Sequence, residues 1–554
     1  MSRFRKNSTM NSAENNFTFS SHRSPVAGRG GMLAASQPLA VAAGLELLRQ
    51  GGNAADAAVA TAAALNVTEP TSTGIGGDCF SLYFDAKTKA ITALNGSGRA
   101  PGSLTFELLK RRGFEHELPP YHAHTVTVPG AAAGWCDLID NHGSLKMTEI
   151  LAPAIRLAEQ GFPVAPLTSY FWARGAANQL GKAANGHELT IDGRAPRAGE
   201  LFRNPGLART FRVLAEGGKA AFYQGEISNA IVNVVQESGG VLAAEDMASH
   251  HSTWDTPISS TYRGYRVWEC PPNGQGLAAL LALNILEEFN LAELEPLGAE
   301  RFHLMIEAMR LAFADTRWFV ADPVTNPAPL DTLLSKPYAG KRRPLIDPQH
   351  TNLTFTHGAP TSSSDTVYFS VVDGDGNACS FINSNYYGFG TGIVPKGWGF
   401  TLQNRGFGFS LDPGHPNALA PGKRPYHTII PALITNEDDG SLFACYGVMG
   451  GFMQPQGHVQ VAVGLIDDGL DPQAALDRLR FCIEDGTSSG TVAIEEGVPP
   501  QTLAALEKLG HHVKLITGME RALFGRGQVI VRDKSSGVLW GGSDPRADGL
   551  AMAS

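Results

Sequence analysis

The sequence predicts an α+β protein, and three observations carry that expectation. Short runs rich in β-branched and aromatic residues are bounded by turn residues, alanine- and leucine-rich stretches show helical caps or helical spacing, and the last third alternates the two kinds. No internal repeat interrupts the mixture.

Taken in order, Met1 to Ser20 lacks the apolar middle of a secretory signal despite Arg3, Arg5 and Lys6, and residues 1–20 read as a disordered tail. Ser36-Gln37-Pro38 opens a first helix by capping chemistry, with Leu45, Leu47 and Leu48 along it and Gly51-Gly52 closing it. Asn53 can cap a second helix, Ala54 to about Leu65, whose alanines let another element approach closely and so place it in the interior. Cys79 to Phe84 and Ala90 to Leu94 flank the Asp85–Lys89 turn as a hairpin. The preceding Gly74-Ile75-Gly76-Gly77 leads into a strand and lacks a Gly-Lys-Ser/Thr ending, which argues against a phosphate loop. Thr148 to Gln160, ended by Gly161, and Ala299 to about Trp318, with Phe302, Met305, Met309 and Phe313, have amphipathic helical spacing, and His303 reads as a packing or surface residue. From Ala328 to Ser364, prolines, serines and basic residues outnumber core formers, as expected of a mobile segment. Asp471-Pro472 caps another helix, Val492 to Ile494 reads as a strand, and Val529 to Trp540 as a hairpin.

The most informative stretch is Ser362-Ser363-Ser364-Asp365-Thr366-Val367-Tyr368-Phe369-Ser370-Val371-Val372-Asp373, where a polar run ends abruptly in a strand. Asp373-Gly374-Asp375-Gly376-Asn377 is a dense turn signal, followed by a second apolar run from Ala378 to Ile382. If those residues form the loop, Val372 faces Ala378 and Thr366 falls opposite Ser384; a slip of one residue brings Asn383 or Asn385 there instead. Such a threonine permits self-cleavage: its hydroxyl attacks the Asp365 carbonyl, the ester hydrolyses, and a new amino-terminal threonine remains. A free α-amino group has a pKa of roughly 7.7 to 8.0, so it can take the proton of its own hydroxyl near neutral pH. Composition alone favours a solvated loop threonine entering a strand. The acidic loop also resembles a calcium loop, but Ala378 stands where the required glycine would be and Ser384 where the bidentate glutamate would be, so no metal is expected.

Composition narrows the function classes. A chain of 554 residues is long enough for several domains or for one intertwined α/β enzyme. Its net charge of −9 and its 18% charged residues give no basic footprint for nucleic acid or anionic membrane, and no stretch approaches a membrane span. A small polar substrate fits better. Cys79, Cys136, Cys270, Cys379, Cys445 and Cys482 are scattered in apolar surroundings without metal spacing, which suits buried thiols in a reducing compartment and hence the cytoplasm.

Asp365–Asp373 with Asp375-Gly376-Asn377 resembles the processing site of the γ-glutamyltransferase (γ-glutamyltranspeptidase) family of N-terminal-nucleophile (Ntn) hydrolases. Gly51–Ala57, Gly74–Asp78, Val128-Pro129-Gly130, Lys423-Arg424-Pro425 and Gly450-Gly451 extend the resemblance from about Met32 to about Gly549. It implies a four-layer αββα Ntn-hydrolase sandwich formed jointly by a large subunit, 21–365, and a small subunit, 366–554, of a self-cleaved precursor. It further implies that the two form a heterodimer, with a dimer of heterodimers as an open alternative, and that no cofactor is used. On the same basis Thr366 is the nucleophile, Asp365–Thr366 the cleavage site, Ser384 its hydrogen-bonding partner, and Gly450 and Gly451 the oxyanion hole, although a glycine pair also reads as a tight turn.

The substrate side departs from the γ-glutamyl pattern. Transpeptidases of the family hold the glutamyl ammonium with acidic or amide groups just beyond an Asn-Asn pair; here the run is Gln403-Asn404-Arg405-Gly406-Phe407-Gly408. Arg405 would repel an ammonium and can hold a carboxylate bidentately. The family's carboxylate-binding arginine falls on Ser97, with Arg99 two residues later, and His427-Thr428 replace a serine pair. Either arginine can instead be a structural ion-pair partner. With Gly450–His458, this set resembles the oxamate amidohydrolase branch, which implies hydrolysis of a small amide beside a carboxylate to oxalate and ammonia, with Asn404, Arg405, Arg99, His427 and Thr428 as substrate-binding candidates. The alternatives are a γ-glutamyl hydrolase or transpeptidase acting on glutathione, a non-catalytic binding protein that is never processed, and cleavage of another bond next to an oxalyl group.

Overall fold

The structure is a computed structural model that describes residues 23–355 and 365–554, with Asp365 described by its backbone alone. The predicted tail at 1–20 and residues 356–364 of the predicted mobile segment lie outside the described residues.

Alternating apolar positions build two antiparallel seven-stranded sheets. In spatial order, the first runs Leu550–Ala553, Gly31–Ala35, Asp365–Asp373, Ala378–Tyr386, Asp78–Phe84, Ile91–Gly96, Thr253–Asp255. The second runs Val26–Gly28, Leu539–Ser543, Gly527–Arg532, Leu442–Val448, Ala432–Asn436, Tyr265–Glu269, Ile258–Tyr262. The predicted hairpins at 79–94, 366–384 and 529–540 are all present within them.

Asp365–Asp373 packs across onto Leu442–Val448 and Gly527–Arg532. A buried polar seam joins the sheets there: Tyr368 Oη meets Ser370 Oγ at 2.9 Å and Ser380 Oγ at 2.8 Å, while Ser370 Oγ donates to the Cys445 carbonyl at 3.0 Å. Each hydroxyl is therefore satisfied without water. On its other face the first sheet carries Ala54–Thr68 and Ala131–His142, and the second sheet carries Gly276–Leu286, Met453–Ile466 and Pro472–Asp477.

Ala54–Thr68 is buried at every position, as its alanine content predicts. Asn53 caps it, accepting from the Ala55 and Asp56 N–H groups, and Asp56 accepts in return from the Asn53 N–H at 2.9 Å. The calcium-like loop is bound internally by its own first residue. Asp373 accepts from Asp375 N, Asn377 N and Asn377 Nδ2, and from the Ala54 N–H at the start of this helix. Its carboxylate thereby ties the central hairpin turn to the helix behind it.

Three expectations are corrected. The Pro38–Arg49 helix starts at Gln37 with no side-chain cap, because Ser36 turns its hydroxyl to the buried Glu69 carboxylate at 2.5 Å. Thr148 to Gln160 breaks into Met147–Ile150 and Ala152–Gln160, with Leu151 between them and Pro153 in the first turn of the second helix. Residues 328–355 form short helices held at the surface: they contain Leu330–Leu333 and Lys336–Arg342, and the Glu307 carboxylate accepts from Thr351 Oγ1 at 2.6 Å and the Asn352 N–H at 3.0 Å. A proline- and serine-rich composition is outweighed there by backbone groups that buried side chains satisfy.

The six cysteines are buried and unpaired, as predicted. Among the described residues no helix is long and apolar enough to cross a membrane.

The close approach of the first two helices gives a stability prediction. A Cβ on Gly44 would lie 2.2 Å from Leu33 Cδ1 and 2.3 Å from Thr61 Oγ1, so Gly44→Val overpacks the junction of Pro38–Arg49 with Ala54–Thr68. The expected loss is about 1–3 kcal/mol, read as a lowered urea midpoint.

Candidate active site

The central hairpin follows the counted register from Val372↔Ala378 to Val367↔Asn383. It then slips by one residue, so that Asp365 pairs with Tyr386 and Thr366 sits in the irregularity. Tyr386 absorbs the slip in the left-handed region at φ 80°, a conformation that costs a bulky residue about 1–3 kcal/mol. The predicted meeting of hydroxyls survives, with Thr366 Oγ1 and Ser384 Oγ 3.1 Å apart and both residues buried.

Around this pair the structure assembles groups from distant segments. The Tyr386 N–H donates to Ser384 Oγ at 2.9 Å, and Arg405 Nη2 donates to the same oxygen at 3.4 Å. Arg405 Nη1 donates to Thr428 Oγ1 at 2.9 Å, and its guanidinium lies 4.0 Å from the centre of the Tyr386 ring. Burial lowers the Arg405 pKa to about 10, which keeps it cationic at neutral pH.

His427 Nε2 lies 3.0 Å from Asp78 Oδ2, and its Nδ1 accepts the Ile429 N–H at 3.4 Å. Burial, then Arg405 and Arg424, hold the imidazole pKa well below its usual value, so it is neutral with Nε2–H donating to Asp78. Asp78 Oδ1 also accepts from Gly98 N, Gly130 N and Gln403 Nε2. Burial pushes the Asp78 pKa up to about 6, against Arg405 and these donors, which pull it down. The glycines before Asp78 allow the strand to pass Ser384: a Cβ on Gly77 would lie 2.2 Å from the Ser384 carbonyl oxygen.

Gly450 and Gly451 take φ values of 122° and 59°, so the tight turn is real, and their carbonyls accept from Met453 N and Gln454 N at the start of Met453–Ile466. Gln275 joins this turn to the rest by donating to the Gly451 carbonyl at 2.8 Å and the Thr428 carbonyl at 2.6 Å. Asn404 is engaged by backbone on both sides, donating to the Pro120 carbonyl at 2.7 Å and accepting the Tyr387 N–H at 3.1 Å. Thr366, Ser384, Arg405, Thr428 and Gly451 thus form one connected set, with His427 beside it. Arg99 stands apart, with its guanidinium donating to the His251 carbonyl at 3.3 Å.

Sequence reasoning did not single out Asp78, Gln275, Tyr386, Gln403 or Gln454 as site residues. Asp78 carried a signal, being an acid between a glycine cluster and an apolar strand. Gln454 Nε2 lies 3.5 Å from Thr366 Oγ1, and its Oε1 accepts the Ile430 N–H at 3.0 Å.

Two cavities flank the glycine turn. One, of about 360 Å³, is lined by Tyr386, Phe407, Tyr426, Phe452 and Arg317; the other, of about 440 Å³, by Gly450, Tyr387, Phe389, Arg174 and Arg526. Among the described residues His303, Glu307 and His511 converge closely enough to hold a cation. They are already engaged with protein: His303 Nε2 donates to the Asp347 carbonyl, its Nδ1 lies 2.8 Å from His511 Nε2, and Glu307 faces Arg310 at 3.5 Å. The cluster anchors the segment around Asp347 to Ala299–Phe319, where His303 is buried.

The family model for gamma-glutamyltranspeptidase matches residues 40–554. The chain is 36% identical to the glutathione hydrolase-like YwrD proenzyme of Bacillus subtilis, over 95% of this chain and 99% of that protein. It is 34% identical to the oxamate amidohydrolase proenzyme of Klebsiella pneumoniae, over 94% of this chain and 98% of that one. The crystal structure of cephalosporin acylase from Bacillus halodurans superposes with a TM-score of 0.90 at 46% identity, covering 98% of this chain and 99% of that one. The chain belongs to the γ-glutamyltranspeptidase family, and it is an amidohydrolase acting on C–N bonds.

The Asp78 carboxyl gives a pH prediction. Its pKa is raised from 3.8 to about 6, so between those values the folded state holds a proton that the unfolded chain has lost, and stability falls as pH rises through that window. Asp78→Asn should remove up to about 1.4 kcal/mol per pH unit of that downward slope, read from urea midpoints at several pH values.

Proposed function

We propose that the chain is a self-processing Ntn amidohydrolase whose Thr366, once it becomes an amino terminus, hydrolyses a small amide adjacent to a carboxylate, of the oxamate type. Residues 21–365 form the large subunit and 366–554 the small one, and they remain together as a heterodimer. The interleaving of their strands in both sheets supports this, since the small subunit's central hairpin is flanked by strands of the large one. We read the helix-on-sheet-on-sheet-on-helix contacts as the four-layer αββα sandwich.

In maturation the Thr366 oxygen attacks the Asp365 carbonyl, the peptide C–N bond breaks so that the α-amino group leaves with a proton, and water then hydrolyses the ester, freeing the Thr366 hydroxyl and the Asp365 carboxylate. In turnover that amine takes the Thr366 hydroxyl proton, the oxygen attacks the amide carbon, and the N–H groups of Gly450 and Gly451 receive the oxyanion. The leaving nitrogen departs with the proton as ammonia, and water hydrolyses the acyl-enzyme. Thr428 holds Arg405, while Asn404 and His427 line the carboxylate site beside it. Arg99, the remaining candidate, donates to the His251 carbonyl.

The observation that carries the oxamate reading is Arg405, whose Nη2 lies 3.4 Å from the oxygen that in turn lies 3.1 Å from Thr366 Oγ1. In oxamate the carboxylate is bonded directly to the reacting carbon, so a guanidinium one side chain from the nucleophile suits it. In a γ-glutamyl amide the α-carboxylate is several bonds further away, and the α-carbon that bears it also bears an ammonium, which Arg405 would repel. The oxamate amidohydrolase relative supports the same reading.

A second reading, hydrolysis of a larger acyl amide, is favoured by the likeness to cephalosporin acylase. Oxamate, a cephalosporin amide and a chromogenic γ-glutamyl anilide, assayed side by side, separate the readings. Turnover of the anilide alone overturns the leading one.

Thr366→Ala should leave one full-length band on denaturing electrophoresis and no turnover; persistence of a single band in the intact sequence favours an unprocessed binding protein. Arg405→Lys keeps the charge but loses the planar fork, and should lower kcat/KM for oxamate by about 10- to 100-fold.

A further inference from the structure

The candidate nucleophile is reached by a second polar side chain besides Ser384. Gln454 is buried at the start of Met453–Ile466, and its Nε2 lies 3.5 Å from Thr366 Oγ1. The amide is oriented by its other end: Oε1 accepts the Ile430 N–H at 3.0 Å, which leaves the donating nitrogen facing Thr366.

Ser384 also acts on Thr366 as a donor. Its oxygen accepts from the Tyr386 N–H at 2.9 Å and from Arg405 Nη2 at 3.4 Å. With two N–H donors on its oxygen, the Ser384 hydroxyl is placed to donate across the 3.1 Å to Thr366 Oγ1. The threonine oxygen therefore lies between two donors, one of them backed by the Arg405 charge.

We propose that Gln454 is a catalytic residue, the second hydrogen-bond donor to the Thr366 oxygen as it becomes an alkoxide. The proposal rests on Thr366 being the nucleophile. When the Thr366 proton passes to the α-amino group, the oxygen gains a third lone pair. Two are held by Ser384 and Gln454, and the third forms the bond to the carbonyl carbon while the carbonyl π pair moves to its oxygen. Both donors are in place before the charge develops, so stabilising it needs no reorganisation. The same oxygen attacks Asp365 during maturation, and the same donors serve that step.

The test uses processed full-length protein, with turnover normalised to the amount of small subunit, at a pH near 8. Gln454→Met keeps the side-chain length without the donor; Gln454→Glu keeps an acceptor for the Ile430 N–H and replaces the donor with a carboxylate. Both variants should lower kcat by about 10- to 100-fold with KM within about twofold of the parent, and both should slow appearance of the two bands. Wild-type kcat in Gln454→Glu, with loss only in Gln454→Met, would assign the side chain to holding Ile430 and overturn the proposal. Loss expressed in KM alone would do the same. Thr366→Ala, run in parallel, separates the two failures: if it matures and turns over, the nucleophile assignment itself falls; if it is inert while both Gln454 variants are unimpaired, only the role of Gln454 falls.

Discussion

Asp365–Asp373 is hydrogen-bonded along both edges, to Gly31–Ala35 on one side and to Ala378–Tyr386 on the other. A strand held in that way cannot shift without breaking two ladders at once, and a slip of one residue would exchange its two buried faces between the neighbouring layers. The position of Thr366 follows from that double constraint. Nearly every feature of the candidate site is arranged relative to the end of this strand, where the ladder to Ala378–Tyr386 slips and the pairing to Gly31–Ala35 no longer reaches.

Beyond the strand, the site is shaped by the need to bury charge with partners. Arg405 has no access to solvent, and an unpaired buried guanidinium would be very costly, so its donors are spread over Thr428 and Ser384 and its face is laid on Tyr386. Asp78 is treated in the same manner by four N–H donors, from Gly98, Gly130, Gln403 and His427. Removing either charge leaves the donors or acceptors of the other side without partners. Substitutions here therefore act on folding as well as on the geometry of the candidate site.

Tyr386 shows how local strain and chemistry are coupled. Its left-handed backbone lets the strand slip by one residue opposite Asp365, aims its N–H at Ser384, and presents its ring to Arg405. The cost of that conformation is offset by three contacts that all belong to the candidate site. A hairpin in regular register would have paired Thr366 with Ser384 strictly, with Tyr386 continuing as ordinary strand.

Much of this was legible in the amino-acid sequence, because it depends on local order. The alternation of 366–384 with an Asp-Gly turn set the hairpin and its register to Val367, the alanines of 54–65 announced a fully buried helix, and Asn53 and Asp471 announced their caps. That Arg405 cannot accept a hydrogen bond was readable for the same reason, since it follows from residue type wherever the side chain lies. What tertiary structure decided were meetings between segments far apart in the chain. Ser36 left its cap for Glu69, Thr351 and Asn352 were pinned by Glu307, and Gln454 came to Thr366 across 88 residues. Local propensity is worth tenths of a kcal/mol to about one per residue, while satisfying a buried polar group is worth more, so where the two compete the distant partner wins.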